Sequence, residues 1–314
     1  MAAPAIQHPG RRALDRDLLF VTGKGGAGKT TVAAALALAG AAAGRRTVVC
    51  EVDGAGRLAG AFGRHAGAAV LSIDPHVALS EWMRAQPGGA IAAATLGHAR
   101  AFTRFVDAAP GAKELVTIGK AVDLARSDDY DLVVVDGPST GHALGMLAAP
   151  ATVARVAAVG PIGQQARALH RFLADPERAA YVGVSLPEEM SVRELIELEA
   201  GLRETLGRGL DLVVVDGVYP DRFTDAEAAR LRALAMRGGA AAGPLHCALA
   251  EHRQARDHAE RVRELRERTA APVVTLPFVF EGELGPSEYE RLGHRLAGAC
   301  RAGPRRRAAA PDPA

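Results

Sequence analysis

The stretch LLFVTGKGGAGKTT, from Leu18 to Thr31, decides the fold of this 314-residue chain. Its first half is a short apolar run, which is typical of a strand buried on both faces of a parallel sheet. Its second half fits the pattern G-x-x-x-x-G-K-[ST], in which backbone N–H groups and the start of a helix surround a phosphate. Strand, loop and helix in this order predict a phosphate-binding site at one edge of an α/β sheet.

Other apolar runs follow along the chain, separated by longer amphipathic stretches. They begin at Thr47, Asp131, Val153, Tyr181, Asp211 and Pro272. This alternation predicts a doubly wound, mostly parallel sheet with helices on both faces. Capping boxes predict helix starts at Ser191 with Glu194 and at Thr224 with Glu227. The segment 75–126 shows no clear strand and is predicted to be an inserted helical subregion.

Composition and charge limit the class of protein. With 48% hydrophobic and 24% charged residues, the chain is predicted to form one globular domain over residues 18–300, flanked by disordered ends at 1–17 and 301–314. A net charge of +2 gives no case for a nucleic-acid partner. We expect a cytoplasmic protein, because the chain shows no secretory h-region, no apolar run of about 20 residues and three widely spaced cysteines.

The heptapeptide DLVVVDG occurs twice, at Asp131–Gly137 and at Asp211–Gly217. The carboxyl ends of parallel strands meet at one edge of a doubly wound sheet, so two such strands reach a common site without any domain duplication. The flanking sequences differ, which argues against an internal repeat. We therefore predict two separate strands that each deliver one aspartate, Asp136 and Asp216, to the site.

The glycine-rich loop supplies most of the predicted nucleotide-binding residues. Lys29 is expected to neutralise the β- and γ-phosphates, and the Thr30 hydroxyl is expected to bind Mg²⁺. The predicted binding residues of the loop are Gly23, Lys24, Gly25, Gly26, Ala27, Gly28, Lys29, Thr30 and Thr31.

Three motifs together resemble the ArsA-type ATPases, the arsenical pump-driving and tail-anchored-protein-targeting family with a deviant phosphate loop. They are the loop GKGG-x-GKT, the stretch around Asp53, and Asp136 followed by Thr140, Gly141 and His142. The resemblance spans residues 18–296, and the stretches APGAKEL and LPEEMSVRE add to it. It implies a Mg²⁺-dependent ATPase that works as a dimer around its nucleotides.

The resemblance also implies roles for individual residues. Lys24 would reach the nucleotide of the opposing subunit, although a solvated lysine on a loop is the alternative. Asp53 would orient or deprotonate the attacking water, so Lys24 and Asp53 are the implied catalytic residues. Asp136 would act on Mg²⁺, with Thr30 and Asp53 completing the metal set. The second switch comprises Asp136, Thr140, Gly141 and His142, and His142 suits packing as well as switching.

The first switch departs from the family pattern. The family shows Asp-Pro-Ala-His where this chain has Asp53-Gly54-Ala55-Gly56. Two glycines give this loop more backbone freedom and lower its preorganisation. Hydrolysis is therefore expected to be slow or to depend on a partner.

The later DLVVVDG strand is predicted to read the base. The family has an asparagine at its end, which suits the N6 and N7 edge of adenine, whereas this chain has Asp216. An ionised carboxylate only accepts hydrogen bonds, so guanine is an alternative to adenine, with ATP favoured. Pro277 is expected to close the other side of the base. Asp216 acting only as a cap of a turn is the remaining alternative.

The partner and the client are the least determined features. The chain lacks a CxxC pair, clustered thiols and a methionine-rich segment, since Met83 is the one methionine in 75–126. We therefore expect neither metalloid binding nor the client groove of the targeting branch. A homodimer, or a heterodimer with a paralogous ATPase, is expected. The competing hypotheses are a nucleotide-binding regulatory subunit with little hydrolysis and a relative of P-loop kinases or amide ligases.

Overall fold

A computed structural model describes residues 13–52, 56, 58, 67–85, 111–157, 159–280 and 284–301 of the chain. Its centre is a seven-stranded sheet in the order β3-β2-β4-β1-β5-β6-β7, and every neighbouring pair is parallel. The strands are β1 (Leu18–Gly23), β2 (Thr47–Glu51), β3 (Ala68–Ser72), β4 (Leu132–Ser139), β5 (Ala179–Ser185), β6 (Leu212–Val218) and β7 (Val273–Pro277). The predicted doubly wound α/β class is confirmed.

Helices connect the strands and cover both faces of the sheet. They are α1 (Lys29–Ala42), α2 (Pro75–Ala85), α3 (Ala112–Arg126), α4 (Thr140–Val156), α5 (Pro161–Ala174), α6 (Glu189–Leu206), α7 (Asp225–Ala235), α8 (Ala242–Arg268) and α9 (Pro286–Arg301). Helices α1 and α9 lie on one face, and α3 to α6 with α8 lie on the other.

The alternation of side chains in β1 shows why the strands are apolar throughout. Leu18 and Phe20 belong to the core under α3 to α6, whereas Leu19 and Val21 belong to the core under α1. All four are fully buried. A strand with two buried faces needs apolar residues at every position, which explains the unbroken run that the sequence shows.

Two strand assignments from the sequence need correction. The apolar run from Val153 is not a strand, because residues Val153–Val156 are the last turn of α4. Valine and alanine in a short run satisfy a helix as well as a strand, and Pro150, which lies inside α4, suggests a break in the sequence that the helix does not make. The sequence analysis also missed β3, a short strand paired with β2.

One predicted capping box is confirmed and the other is wrong. Thr224 caps α7, accepting from the N–H of Glu227 while the Glu227 carboxylate accepts from the N–H of Thr224. Ser191 instead lies inside the first turn of α6, whose N-cap is Glu188. Its buried hydroxyl accepts from the Leu186 N–H, so it holds the β5–α6 connection rather than the helix end.

The two copies of DLVVVDG form the parallel strands β4 and β6 on opposite sides of the β1–β5 pair. The first aspartate of each copy binds a nearby arginine: Asp131 accepts two guanidinium hydrogen bonds from Arg46, and Asp211 accepts from Arg208. The second aspartate of each copy lies at the carboxyl edge of the sheet. The identical strands thus present Asp136 and Asp216 at the same edge.

Two boundaries of the predicted organisation fall within described residues. Residues 13–17 were assigned to the disordered N-terminus, but Leu14 is buried in a short 3-10 turn and Asp17 binds Arg178 at 2.8 Å. The described parts of the predicted helical subregion are α2 and α3, and α3 packs directly on the sheet. Among the described residues, no helix has both the length and the apolarity to cross a bilayer.

Candidate nucleotide-binding site

The glycine-rich loop joins β1 to α1 at the carboxyl edge of the sheet. Gly28 is the N-cap of α1 and has a left-handed backbone, with φ of 87°. A Cβ atom at Gly28 would lie 2.1 Å from Oδ2 of Asp216. Glycine at this position therefore satisfies both the backbone conformation and the close approach of a carboxylate from β6.

The two lysines of the loop turn in different directions. Lys29 Nζ donates to the carbonyl oxygen of Lys24 at 3.1 Å, so its ammonium group lies along the loop backbone. Lys24 Nζ lies 3.5 Å from Oε1 of Glu194 on α6. The loop thus carries two cations, one over its own backbone and one paired with a neighbouring helix.

The hydroxyl and the carboxylate predicted to bind the metal are brought together. Thr30 Oγ1, in the first turn of α1, donates to Oδ2 of Asp136 at 2.7 Å. Beneath them, Thr22 Oγ1 donates to the carbonyl oxygen of Pro138 at 2.8 Å and ties β1 to the end of β4. The Thr30 hydroxyl and the Asp136 carboxylate both offer oxygen atoms as metal ligands. Mg²⁺ prefers oxygen ligands and keeps several waters and substrate phosphates among them. The donor set therefore fits Mg²⁺.

The residues predicted for the first switch lie largely outside the described part of the chain. Asp53, Gly54 and Ala55 are not described. Glu51, at the end of β2, is buried and accepts the N–H of Leu58 at 2.9 Å. Glu51 thus ties the chain that follows the first switch to the sheet, a role that the sequence analysis missed.

The second switch begins α4. Thr140 is its first residue, and its hydroxyl lies 3.4 Å from Oε2 of Glu194, the carboxylate that also pairs with Lys24. His142 is exposed and makes no hydrogen bond within the described residues, so a packing role for it is not supported. Glu194 was missed as a site residue, although the stretch LPEEMSVRE that contains it was recognised.

Asp216 occupies the end of β6. Its Oδ1 accepts the N–H of Gly217 at 2.9 Å, and its Oδ2 is the atom that approaches Gly28. Burial raises the pKa of Asp216 to about 6, which the Gly217 hydrogen bond only partly offsets. A carboxylate that titrates beside a phosphate loop makes the local charge depend on pH near neutrality.

An aromatic cluster that the sequence analysis missed lies next to Asp216. Tyr219 stacks on Phe278 with ring centroids 4.7 Å apart, and Phe280 meets Phe278 edge-on at 4.9 Å. Phe278 and Phe280 are 39% and 55% exposed. Pro277, the predicted base contact, is the last residue of β7 and precedes Phe278 directly. Half-exposed rings at this edge suit the stacking of a planar base.

The remaining loop residues differ in their exposure, and two of the three cysteines are buried. Gly25 and Gly26 are exposed and Ala27 is buried. Cys50 and Cys300 are buried, and burial raises the pKa of each thiol to about 12. Within the described residues, no three or more His, Cys, Asp or Glu side chains form a group that could hold a metal.

Comparison with known proteins agrees with this geometry. The profile of the anion-transporting ATPase family matches residues 16–161, which include β1, the phosphate loop and the second switch. This chain is a relative of the ArsA-type ATPases. The resemblance to this family predicted from the motifs is thus confirmed, and the phosphate loop lies within the matched residues.

Three proteins illustrate what this chain is similar to. A Streptomyces coelicolor protein, named as uncharacterized, is 34% identical over 221 residues, covering 66% of this chain and 52% of that protein. An arsenical pump-driving ATPase of Halobacterium salinarum is 27% identical over 315 residues, covering 89% and 44%. The ATPase get3 of Botryotinia fuckeliana is 28% identical over 215 residues, covering 65% and 59%. The chain thus spans about half the length of these relatives.

Proposed function

We propose that this chain is a Mg²⁺-dependent ATPase of the ArsA type that acts as a nucleotide-switched dimer. The observation that carries the proposal is the 2.7 Å hydrogen bond between Thr30 and Asp136 at the start of α1. It joins the last residue of the phosphate-loop motif to the carboxylate at the end of a central strand, which is the pairing that Mg²⁺-nucleotide chemistry requires.

The loop and its two lysines would hold the phosphates. Backbone N–H groups of the loop and of the first turn of α1 would donate to phosphate oxygens, and Lys29 would leave the Lys24 carbonyl to neutralise them. Thr30 and Asp136 would hold Mg²⁺, which would neutralise charge on the phosphates when bound. Asp53 would orient the attacking water.

The base would lie at the ends of β6 and β7. Asp216, Pro277 and the half-exposed rings of Phe278 and Phe280 lie together there. Stacking on these rings would bind any purine, so the hydrogen-bonding group of Asp216 would set the choice between ATP and GTP. ATP is the proposed substrate, in keeping with the ATPase names of the relatives.

The concentration dependence of hydrolysis tests the dimer. We expect phosphate release from Mg²⁺-ATP, per protein molecule, to rise with protein concentration and to reach a plateau. Lys29→Ala should abolish it, because this lysine is proposed to neutralise the transferred phosphate. A rate that is the same per molecule at all concentrations, and unchanged in Lys29→Ala, contradicts the proposal.

Mixing two inactive variants tests whether Lys24 acts across the dimer. Lys24→Ala and Asp53→Asn are each expected to lose hydrolysis. In a mixed dimer, the chain with intact Asp53 receives Lys24 from its partner, so one of the two sites becomes complete. Mixing should therefore restore activity, up to half that of the unmodified dimer. No recovery on mixing would place Lys24 in its own subunit or outside the reaction.

A second candidate is a nucleotide-binding regulatory subunit that hydrolyses little. Gly54 and Gly56 in the first switch favour it, as does the pairing of Lys24 with Glu194 within one subunit. This candidate predicts ATP binding that Lys29→Ala abolishes, together with background phosphate release that Asp53→Asn leaves unchanged. A partner chain that raises turnover would then be required for hydrolysis.

A further inference from the structure

A second cavity lies between helices α4, α5 and α6, apart from the nucleotide-binding site. Its volume is about 560 Å³. The polar side chains that line it are Thr152, Arg155, Arg167, His170, Arg171, Glu204 and Thr205. It begins at Ala148, eight residues or about 12 Å along α4 from Thr140, so a ligand in it would not overlap the phosphate loop. The cavity is open to solvent, since Arg155, Arg171 and Glu204 are exposed, and its volume is large enough for a small molecule.

The lining is strongly positive. Three arginines line the cavity against a single carboxylate among the described lining residues, that of Glu204. Within the part of the chain that the structure describes, neither Arg155 nor Arg171 forms an ion pair with a carboxylate. Arg155 instead donates a 3.4 Å hydrogen bond to the hydroxyl of Thr152. The cavity therefore holds more positive charge than its own walls neutralise.

Arg171 also lies close to cations outside the cavity. Burial lowers the pKa of Arg126, and the positive charges of Arg178 and Arg171 lower it further, against the opposing effect of Asp123. Guanidinium groups that repel one another are costly unless an anion joins them. Two arginines at the cavity, Arg155 and Arg171, have exposed side chains that can turn toward a ligand.

His170 supplies a polar atom whose partner is not among the described residues. Its Nδ1 is buried and makes no hydrogen bond there. A buried polar atom without a partner is rare in a folded protein and calls for a ligand or a water. His170 lies one helical turn or less from Arg167 and Arg171 on α5, so all three contribute to the same wall.

We propose that this cavity is a binding site for a small oxyanion with two or more negative charges, of the phosphate or carboxylate type. The planar guanidinium fork of arginine pairs with both kinds of oxyanion through two parallel hydrogen bonds. Alanines at positions 148, 151 and 154 form part of the wall and leave room for the ligand beside the arginines. A neutral or cationic ligand would leave the charges of Arg155 and Arg171 without a carboxylate partner among the described residues.

Calorimetric titration with sodium pyrophosphate, in the absence of Mg²⁺, tests the proposal on the full chain. We expect two binding events, because pyrophosphate also fits the phosphate loop. Lys29→Ala should remove one event and leave the other. The double variant Arg155→Gln/Arg171→Gln should weaken the second event at least tenfold. The matched control Arg230→Gln/Arg237→Gln removes the same charge from exposed positions around the end of α7 and should change neither event.

A variant that gains affinity guards against loss by misfolding. Glu204→Gln removes the opposing charge of the cavity and should tighten the second event about threefold, which damage to the fold cannot do. Tricarballylate, which carries three carboxylates, then distinguishes the type of ligand. If it binds the unmodified chain and not the double arginine variant, the ligand is a carboxylate; if it does not bind the unmodified chain, the ligand is phosphorylated. A single pyrophosphate event that disappears in Lys29→Ala overturns the proposal, as does an unchanged or weaker second event in Glu204→Gln.

Discussion

At the residue scale, Asp216 has two neighbours: the proposed position of the base, and Gly28 of the phosphate loop. Its carboxylate is half-buried against Gly28, and burial raises its pKa to about 6. When it is ionised, it places a negative charge next to the site where phosphates are proposed to bind. The residue thus links base recognition, stability and pH.

The raised pKa predicts how Asp216→Asn alters stability. The folded state binds the proton more tightly than the unfolded state, so the protonated carboxyl stabilises the fold below about pH 4 and this contribution is lost as the pH rises through about 6. Asparagine does not ionise. We therefore expect the variant to melt about 3 °C higher than the unmodified chain at pH 8, with little difference at pH 4.

Thermal unfolding followed by circular dichroism at the two pH values measures this effect. Asp129→Asn, which removes a carboxylate from an exposed position, is the matched control and should shift the midpoint little at either pH. Equal shifts at pH 4 and pH 8 for Asp216→Asn would contradict the assignment.

A comparison of two glycines isolates the close approach at the loop. Gly26 and Gly28 both have left-handed backbones, with φ of 79° and 87°, so alanine costs about 1–2 kcal/mol at either position. At Gly28 the new Cβ would also meet Asp216, whereas at Gly26 nothing lies within 4 Å. Urea unfolding should therefore show a larger loss for Gly28→Ala than for Gly26→Ala, and equal losses would refute the contact.

Single residues also show how far the sequence could predict the site. The loop, Thr30 and Asp136 followed from a local pattern, and the structure joins the last two. Glu194 and the aromatic cluster did not, because Glu194 meets Lys24, and Tyr219 meets Phe278, across segments far apart in sequence. Glu51 did not either, because its contact with Leu58 belongs to no recognised motif. Glu194 meets Lys24 because α6 packs beside the loop, and no local sequence pattern indicates that packing.

At the scale of elements, Glu194 links three parts of the molecule. It pairs with Lys24 of the loop and lies 3.4 Å from Thr140 at the start of α4, while it belongs to α6 itself. If Lys24 must reach a second subunit, this pairing holds it back in its own subunit. The Lys24–Glu194 ion pair would then have to break when the dimer forms, so it stabilises the separate subunit relative to the dimer.

Glu194→Gln should release Lys24. A half-exposed ion pair of this kind contributes about 0.5–1 kcal/mol, and each dimer releases two of them, so the protein concentration for half-maximal hydrolysis should fall about five- to thirtyfold. Glu197→Gln breaks an exposed pair with Arg193 on the same helix and serves as the control. The measurement is phosphate release across a dilution series. An unchanged midpoint in Glu194→Gln, or an equal fall in both variants, contradicts the role.

The elements themselves were largely predictable, and the two failures have physical reasons. Central strands need apolar residues on both faces, and this requirement made them visible. The last turn of α4 carries the same valines and alanines as a strand, so composition alone did not separate the two. Strand β3 is a short edge strand with the sequence AAVLS, and because two of its four apolar residues are alanines, which are depleted in strands, its signal was weak.

For the whole molecule, the position of a strand in the sheet predicts its local stability. Strands β1, β2 and β5 are fully buried, whereas the edge strand β3 and the edge strand β7 are mostly partly exposed. Backbone amides open most rarely where apolar burial is greatest. Hydrogen exchange followed by mass spectrometry should therefore show the slowest exchange in β1 and β5 and faster exchange in β3. Equal protection of β1 and β3 would contradict this account.

The repeated heptapeptide carries a consequence for folding kinetics. A chain with two identical apolar strands offers two candidates for the vacant position beside β1, and only one of them leads to the native topology. The valines cannot discriminate, but the aspartate that begins each copy has a different native partner: Asp131 pairs with Arg46 just before β2, and Asp211 accepts the N–H of Tyr181 in β5. In a sheet with the two copies exchanged, both aspartates would lose these partners, which disfavours the misassembled topology.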